Sequence, residues 1–247
     1  METKSDSLWK DAAQAGLLGG GVAVLLSLVG MVATFSGRYV VSGVFTMGQV
    51  LFMAPILLSA YASLRRIPQQ PASRLLLAGL LSGLIGSAVL ATLVLIGNAV
   101  NLRTMFINAS PDLYRILTFG QGVGIGILIL LTVGLLLGAA AAGILLLPER
   151  LRGALTQAIL WVLLTGLLRD LIVTVSLRWG PLAGIIRQFF AVSGLTLVGA
   201  IILFLLIGGI SYWRLGRPKG EAEQVFNQQR PVVRWLTLGA IGIVLLL

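Results

Sequence analysis

The sequence predicts an all-α fold, a polytopic bundle of transmembrane helices, and three observations carry that prediction. Of the 247 residues 57% are hydrophobic and 11% charged, with a mean hydropathy of +1.01, whereas a soluble domain carries about 25% charged residues. Apolar runs long enough to cross a hydrocarbon core of about 30 Å recur along the chain. The 31 glycines are spread among those runs, and small residues are what let helix backbones approach closely in lipid. No alternation of apolar and polar residues marks barrel strands.

Six complete spans are expected, at Ala15 to Phe35, Val40 to Leu64, Leu75 to Val100, Phe119 to Leu147, Ala154 to Leu177 and Phe189 to Trp213. Lys4 and Lys10 precede the first. Its apolar run is long for a signal peptide, and LVGMVATFSG offers no small-x-small cleavage site, so it reads as an uncleaved anchor. Between spans three and four, NASPDLYRILTF starts like a short helix: Ser110 can cap, Pro111 suits the first turn, and Asp112 favours the positive helix end. With Leu113, Ile116 and Leu117 on it, this piece is expected to lie on the outer membrane surface.

From Leu215 to Arg234 the composition becomes that of a linker, with Pro218, Lys219, Gly220, Glu221 and Glu223 and no apolar face. This divides the chain into a six-span module over residues 1–214, a cytoplasmic linker over 215–231, and the start of a further membrane module over 232–247. The run from Trp235 to Leu247 covers only about 20 Å as helix, so this seventh span is expected to be truncated.

Charge orients the bundle. With the N-terminus in the cytoplasm, twelve of the 18 Lys and Arg fall on inner segments: Lys4, Lys10, Arg65, Arg66, Arg74, Arg150, Arg152, Arg214, Arg217, Lys219, Arg230 and Arg234. The remaining six, Arg38, Arg103, Arg115, Arg169, Arg178 and Arg187, fall outside, which is the bias of the positive-inside rule. The net charge of +10 is therefore a topology signal and calls for no nucleic-acid partner. Tyr61, Tyr212, Trp213 and Trp235 at inner ends, and Tyr39 and Trp179 at outer ends, suit the headgroup zone.

The chain has no Cys and no His. It offers no thiolate or imidazole to a metal or haem, and no base for a Ser-His or Cys-His nucleophile, so no catalytic, cofactor or metal residue is expected. GQGVGIG at Gly120 to Gly126 follows no strand and opens a membrane helix, and it is not read as a nucleotide loop.

Four polar residues are candidates for an intramembrane pathway. Arg169 and Asp170 are ionisable groups in span five, where charge is costly and commonly functional; the alternative is that both reach the outer interface beside Arg178. Gln49 and Asn98, with Pro55 and Gln157, could line a solute path or form interhelical hydrogen bonds. The pairs Gly79 and Gly83, Gly122 and Gly126, and Gly134 and Gly138 stand four apart and are expected to be packing seams. TFSGRY at Thr34 to Tyr39 and TVSLRW at Thr174 to Trp179 share a pattern that two similar membrane boundaries also produce by chance.

The segment SGVFTMGQVLFMAPILLSAYASL, Ser42 to Leu64, resembles the signature of the permease subunits of branched-chain amino-acid ABC transporters. Thr46, Met47, Gly48, Gln49 and Phe52 match its first half, and Ala60 and Tyr61 its second, with three extra residues between the halves and Ser59 in place of a glycine. QQRPVVRWLTLGAIGIVLLL, from Gln228, is similar to the start of the first helix of such a permease core. The resemblance covers about a tenth of the chain. It implies a membrane permease subunit for branched-chain amino acids or similar small solutes, in a bacterial cytoplasmic membrane. It further implies a second permease subunit, cytoplasmic ATPase subunits and a periplasmic solute-binding protein as partners. The alternative is a non-catalytic accessory module that anchors a larger complex through its small-residue seams.

Overall fold

The computed structural model describes residues 4–66, 71–100, 111–169, 172, 190 and 194–216. Its elements run in chain order as α1 (Lys4–Leu28), α2 (Met31–Thr34), β1 (Tyr39–Val41), β2 (Phe45–Thr46), α3 (Met47–Arg65), α4 (Ala72–Ala99), α5 (Pro111–Leu117), α6 (Val123–Leu146), α7 (Glu149–Leu167) and α8 (Leu197–Gly216). Among the described residues five helices are long and apolar enough to cross a membrane: α1 from Ser7, α3, α4, α6, and α8 to Leu215. The chain is a multi-pass helical membrane protein. The fifth expected span corresponds to α7, whose first turns carry Glu149, Arg150 and Arg152 and which is not among those five. The linker beyond Gly216 and the expected seventh span lie outside the described residues.

Two expected spans are corrected at their boundaries. The first helix begins earlier than Ala15 and stops at Leu28, because Gly30 adopts φ 93° and turns the chain into the short α2. The second begins at Met47 rather than Val40. Residues 39–46 instead form a two-stranded antiparallel turn, with Tyr39 opposite Thr46, Val41 opposite Phe45, and Gly43 at φ 73°. Thr46 then starts α3 through a reciprocal cap, its hydroxyl accepting from the Gln49 N–H at 3.2 Å while the Gln49 side chain accepts from the Thr46 N–H at 3.0 Å.

α1, α3, α4 and α6 form one bundle whose two ends are fixed by separate apolar clusters. Leu8, Ala12, Leu64, Ala78 and Ala142 bring together the start of α1, the end of α3, the start of α4 and the end of α6. Lys10, Arg65, Arg66, Arg74 and Arg150 therefore belong to that end. At the opposite end Val32, Phe52, Leu90, Val94, Leu113, Leu117 and Leu130 form the larger cluster.

Between the ends the helices meet backbone to backbone. A Cβ added at Gly79 would strike the Gly138 carbonyl, and one at Gly83 the Gly134 carbonyl, so α4 and α6 run antiparallel at the closest approach that glycine permits. α1 uses the same device. A Cβ at Gly20 would lie 2.7 Å from the Gly86 oxygen on α4, and one at Gly19 would lie 2.8 Å from the Pro55 oxygen on α3. Two buried hydroxyls are satisfied within their own helices, Ser27 donating to the Ala23 carbonyl at 2.8 Å and Ser87 to the Gly83 carbonyl at 2.9 Å, whereas the buried Ser82 hydroxyl has no hydrogen-bond partner among the described residues.

α7 and α8 form a second unit. They run antiparallel, with Gly153 beside Leu215 and Ala158 beside Gly208. Their tie to the bundle is the β turn: the Ser42 N–H donates to the Leu195 carbonyl at 2.8 Å, the Leu195 N–H donates to the Val40 carbonyl at 3.1 Å, and Gly166 of α7 lies against Val40. Val40, Val41, Leu195 and Ala200 are buried together there.

Candidate functional site

The polar residues singled out from the sequence do not converge on one place. Gln49 is occupied in the cap of α3, where it holds the helix start. Asn98 is exposed in the last turn of α4. Arg169 follows the α7 C-cap, Leu168, and is half-buried, three residues after the Gly166 that lies against the β turn. Asp170 lies outside the described residues, as do Thr174 to Trp179 and Ser110. Gln157 is exposed on α7.

The glycine pairs divide. Gly79, Gly83, Gly134 and Gly138 are the α4 to α6 seam itself, all buried. Gly126 lies against Thr118, in the turn that follows α5. Gly122 is the N-cap of α6 and a Cβ there would meet nothing within 4 Å, so it is not a packing residue. Gly16, Gly19 and Gly20 were not singled out from the sequence. The signal was present in the string GLLGGG, whose spacings of three and four place these residues on one helix face.

α5 departs most from its expected position. Leu113 and Leu117 are fully buried and join the large cluster of the bundle, so the helix closes the end of the bundle instead of lying on the membrane surface. The turn after it holds Phe119 at φ 55°, with the Gly120 N–H bonded to the Arg115 carbonyl at 2.6 Å. A left-handed phenylalanine costs about 1–2 kcal/mol, and its ring is held edge-on against Phe52 at 6.1 Å between centroids. Tyr114 packs onto Gly97 of α4 with its hydroxyl buried and without a hydrogen-bond partner, and desolvation raises its pKa above the ordinary tyrosine value.

Among the described residues a concave surface lies between α1 and α3. Near the basic end, a recess of about 280 Å³ is lined by Asp11, Gln14, Ser59, Ser63 and Arg66. It shares Leu18 and Ser59 with an apolar cleft of about 370 Å³ that continues toward the other end past Val22, Leu26, Leu51, Ala54 and Leu58. The contact of Gly19 with Pro55 and Ser59 forms the floor of this furrow. Pro55 has no N–H to donate, so the Leu51 carbonyl in the cleft wall lacks its regular helix partner.

These features define the class, a multi-pass helical membrane protein with a polar-to-apolar furrow between two of its spans. In comparison with known proteins, the chain matches no family model, no curated protein and no solved structure.

Proposed function

We propose that this chain is a membrane permease subunit of an ABC-type uptake system for branched-chain amino acids or similar small solutes. One observation supports the reading. The segment with the permease-like pattern, Ser42 to Leu64, folds into a β turn, a capped helix start and a continuous membrane helix that carries Pro55, and that helix walls an apolar cleft of about 370 Å³. Transporters bind solutes at membrane depth through backbone carbonyls without a helix partner, and the Leu51 carbonyl opposite Pro55 is one such group beside the cleft. The clustering of Lys10, Arg65, Arg66, Arg74 and Arg150 at one end fits a cytoplasmic N-terminus in a bacterial inner membrane. ATPase subunits would meet that end, a periplasmic solute-binding protein the end closed by α5, and a second permease subunit the outward face of α8. The chain would catalyse no covalent chemistry.

The absence of native cysteine provides the test. Cysteines introduced at Leu26 and Val50, on opposite walls of the cleft, are joined by a reducible thiol cross-linker in cells that depend on this chain for leucine uptake. Uptake should fall at least about tenfold on cross-linking and return on reduction. The second reading is an accessory module that anchors a complex, and the glycine contacts of α1, α4 and α6 favour it, since carbonyls facing glycines leave little room for rocking. Under that reading the cross-link leaves uptake unchanged.

A further inference from the structure

We propose that the furrow between α1 and α3 holds one phospholipid with a primary-amine zwitterionic headgroup, of the phosphatidylethanolamine type, its headgroup in the polar recess and one acyl chain in the apolar cleft. The inference does not rest on the permease reading, and it gives the cleft used there a lipid chain as its resting occupant. It starts from length. Asp11 and Leu26 bound the furrow on α1, about 22 Å apart along the helix, and one leaflet with its headgroup layer measures about 20–22 Å. The apolar part, Leu18 to Leu26, spans about 12 Å, close to the roughly 15 Å of hydrocarbon in a leaflet. The polarity changes where a lipid's does.

Headgroup chemistry follows from the side chains of the recess. Asp11 and Arg66 carry opposite charges into the same recess, and no ion pair joins them among the described residues. Ser59 and Ser63 have each spent their hydroxyl hydrogen on their own helix, Ser59 on the Ile56 carbonyl at 3.1 Å and Ser63 on the Ala60 carbonyl at 3.0 Å. Both residues line the recess, so what each hydroxyl has left to offer a ligand there is its oxygen as an acceptor. One carboxylate, two accepting hydroxyls and an amide suit an ammonium with three N–H donors, while the Arg66 guanidinium suits the phosphate beside it. A choline headgroup has no N–H to donate to these acceptors. A phosphatidylglycerol headgroup can set its phosphate on Arg66 but brings no ammonium, and so leaves the Asp11 carboxylate without a cationic partner.

The test is lipid retention by the full chain. The protein is purified in detergent, incubated with equimolar phosphatidylethanolamine, phosphatidylcholine and phosphatidylglycerol of matched chains, and the lipid that remains bound is counted by native mass spectrometry. One phosphatidylethanolamine per chain is expected, retained about tenfold over either competitor, the scale of one charge-assisted hydrogen bond. Asp11→Asn should abolish the preference over phosphatidylcholine. Ala54→Trp, which fills the apolar cleft and leaves the recess intact, should lower retention of all three lipids. Circular dichroism of both variants establishes that the helices persist. Equal retention of the three lipids would mean an ordinary lipid shell and overturn the proposal, as would a preference for phosphatidylglycerol or an unchanged preference in Asp11→Asn.

Discussion

The bundle of α1, α3, α4 and α6 and the pair α7 and α8 are both antiparallel helix assemblies, but they are held in different ways. In the bundle, half of the most apolar window of α4 is buried; in α8 only 17% is. α4 meets α6 through glycines on both helices, carbonyl against the position a Cβ would take. α8 meets α7 through side chains, a Cβ added at Gly208 lying 3.7 Å from the Ala158 Cβ and one at Gly153 2.9 Å from the end of the Leu215 side chain, and leaves Val198, Leu205, Leu206 and Trp213 more than half exposed. Lipid tails are as apolar as leucine, so exposure of these side chains costs nothing in a membrane and burying them gains only packing. Close backbone approach is the term that distinguishes the two regions.

Substitution of glycine by alanine in each region puts that difference to the test. The largest effect is expected at the seam. Gly83→Ala forces α4 away from α6 against a carbonyl that cannot yield, and should destabilise the bundle by about 1–3 kcal/mol. The readout is the detergent-resistant melting temperature, and an unchanged value would mean that the seam is slack.

At the bundle end, Tyr114→Phe removes a buried hydroxyl that has no hydrogen-bond partner while keeping the ring on Gly97, so it should stabilise by about 1 kcal/mol. A loss of stability in the same melting assay would reveal a partner for that hydroxyl. The smallest effect is expected in the pair. Gly209 is exposed and a Cβ there meets nothing within 4 Å, so Gly209→Ala should gain about 0.5 kcal/mol from helix propensity alone. Destabilisation at Gly209 comparable with that at Gly83 would erase the distinction between the regions and place a tight partner against α8.

The membrane class, the existence of most spans and the small-residue faces of α4 and α6 were legible in the sequence, because run length and glycine spacing are local properties; that these two faces meet each other was not. α4 was placed almost to its ends, expected from Leu75 to Val100 and found over Ala72–Ala99. The second span was misplaced at its start, since Val40 to Phe45 is as apolar as a helix and only the Thr46 and Gln49 cap and the turn at Gly43 show where the helix begins. The same cap accounts for Gln49, which on hydropathy alone looked like a pathway residue. The described polar candidates do not come together, because Gln49 is used by its own helix cap while Asn98 and Gln157 are exposed on separate helices.

The sequence by itself determined that this chain lives in a membrane as helices, which end carries the positive charge, and which helices have faces small enough to touch. Only the tertiary structure decided that α5 closes the bundle with Leu113 and Leu117, and that Gly16, Gly19 and Gly20 seat α1 against two neighbours. It alone brings Asp11 and Arg66, fifty-five positions apart, into one recess. The reason is the range of the physics. Hydropathy and spacing act along a helix, whereas an antiparallel pairing brings together residues whose separation in sequence depends on where both helices begin and end.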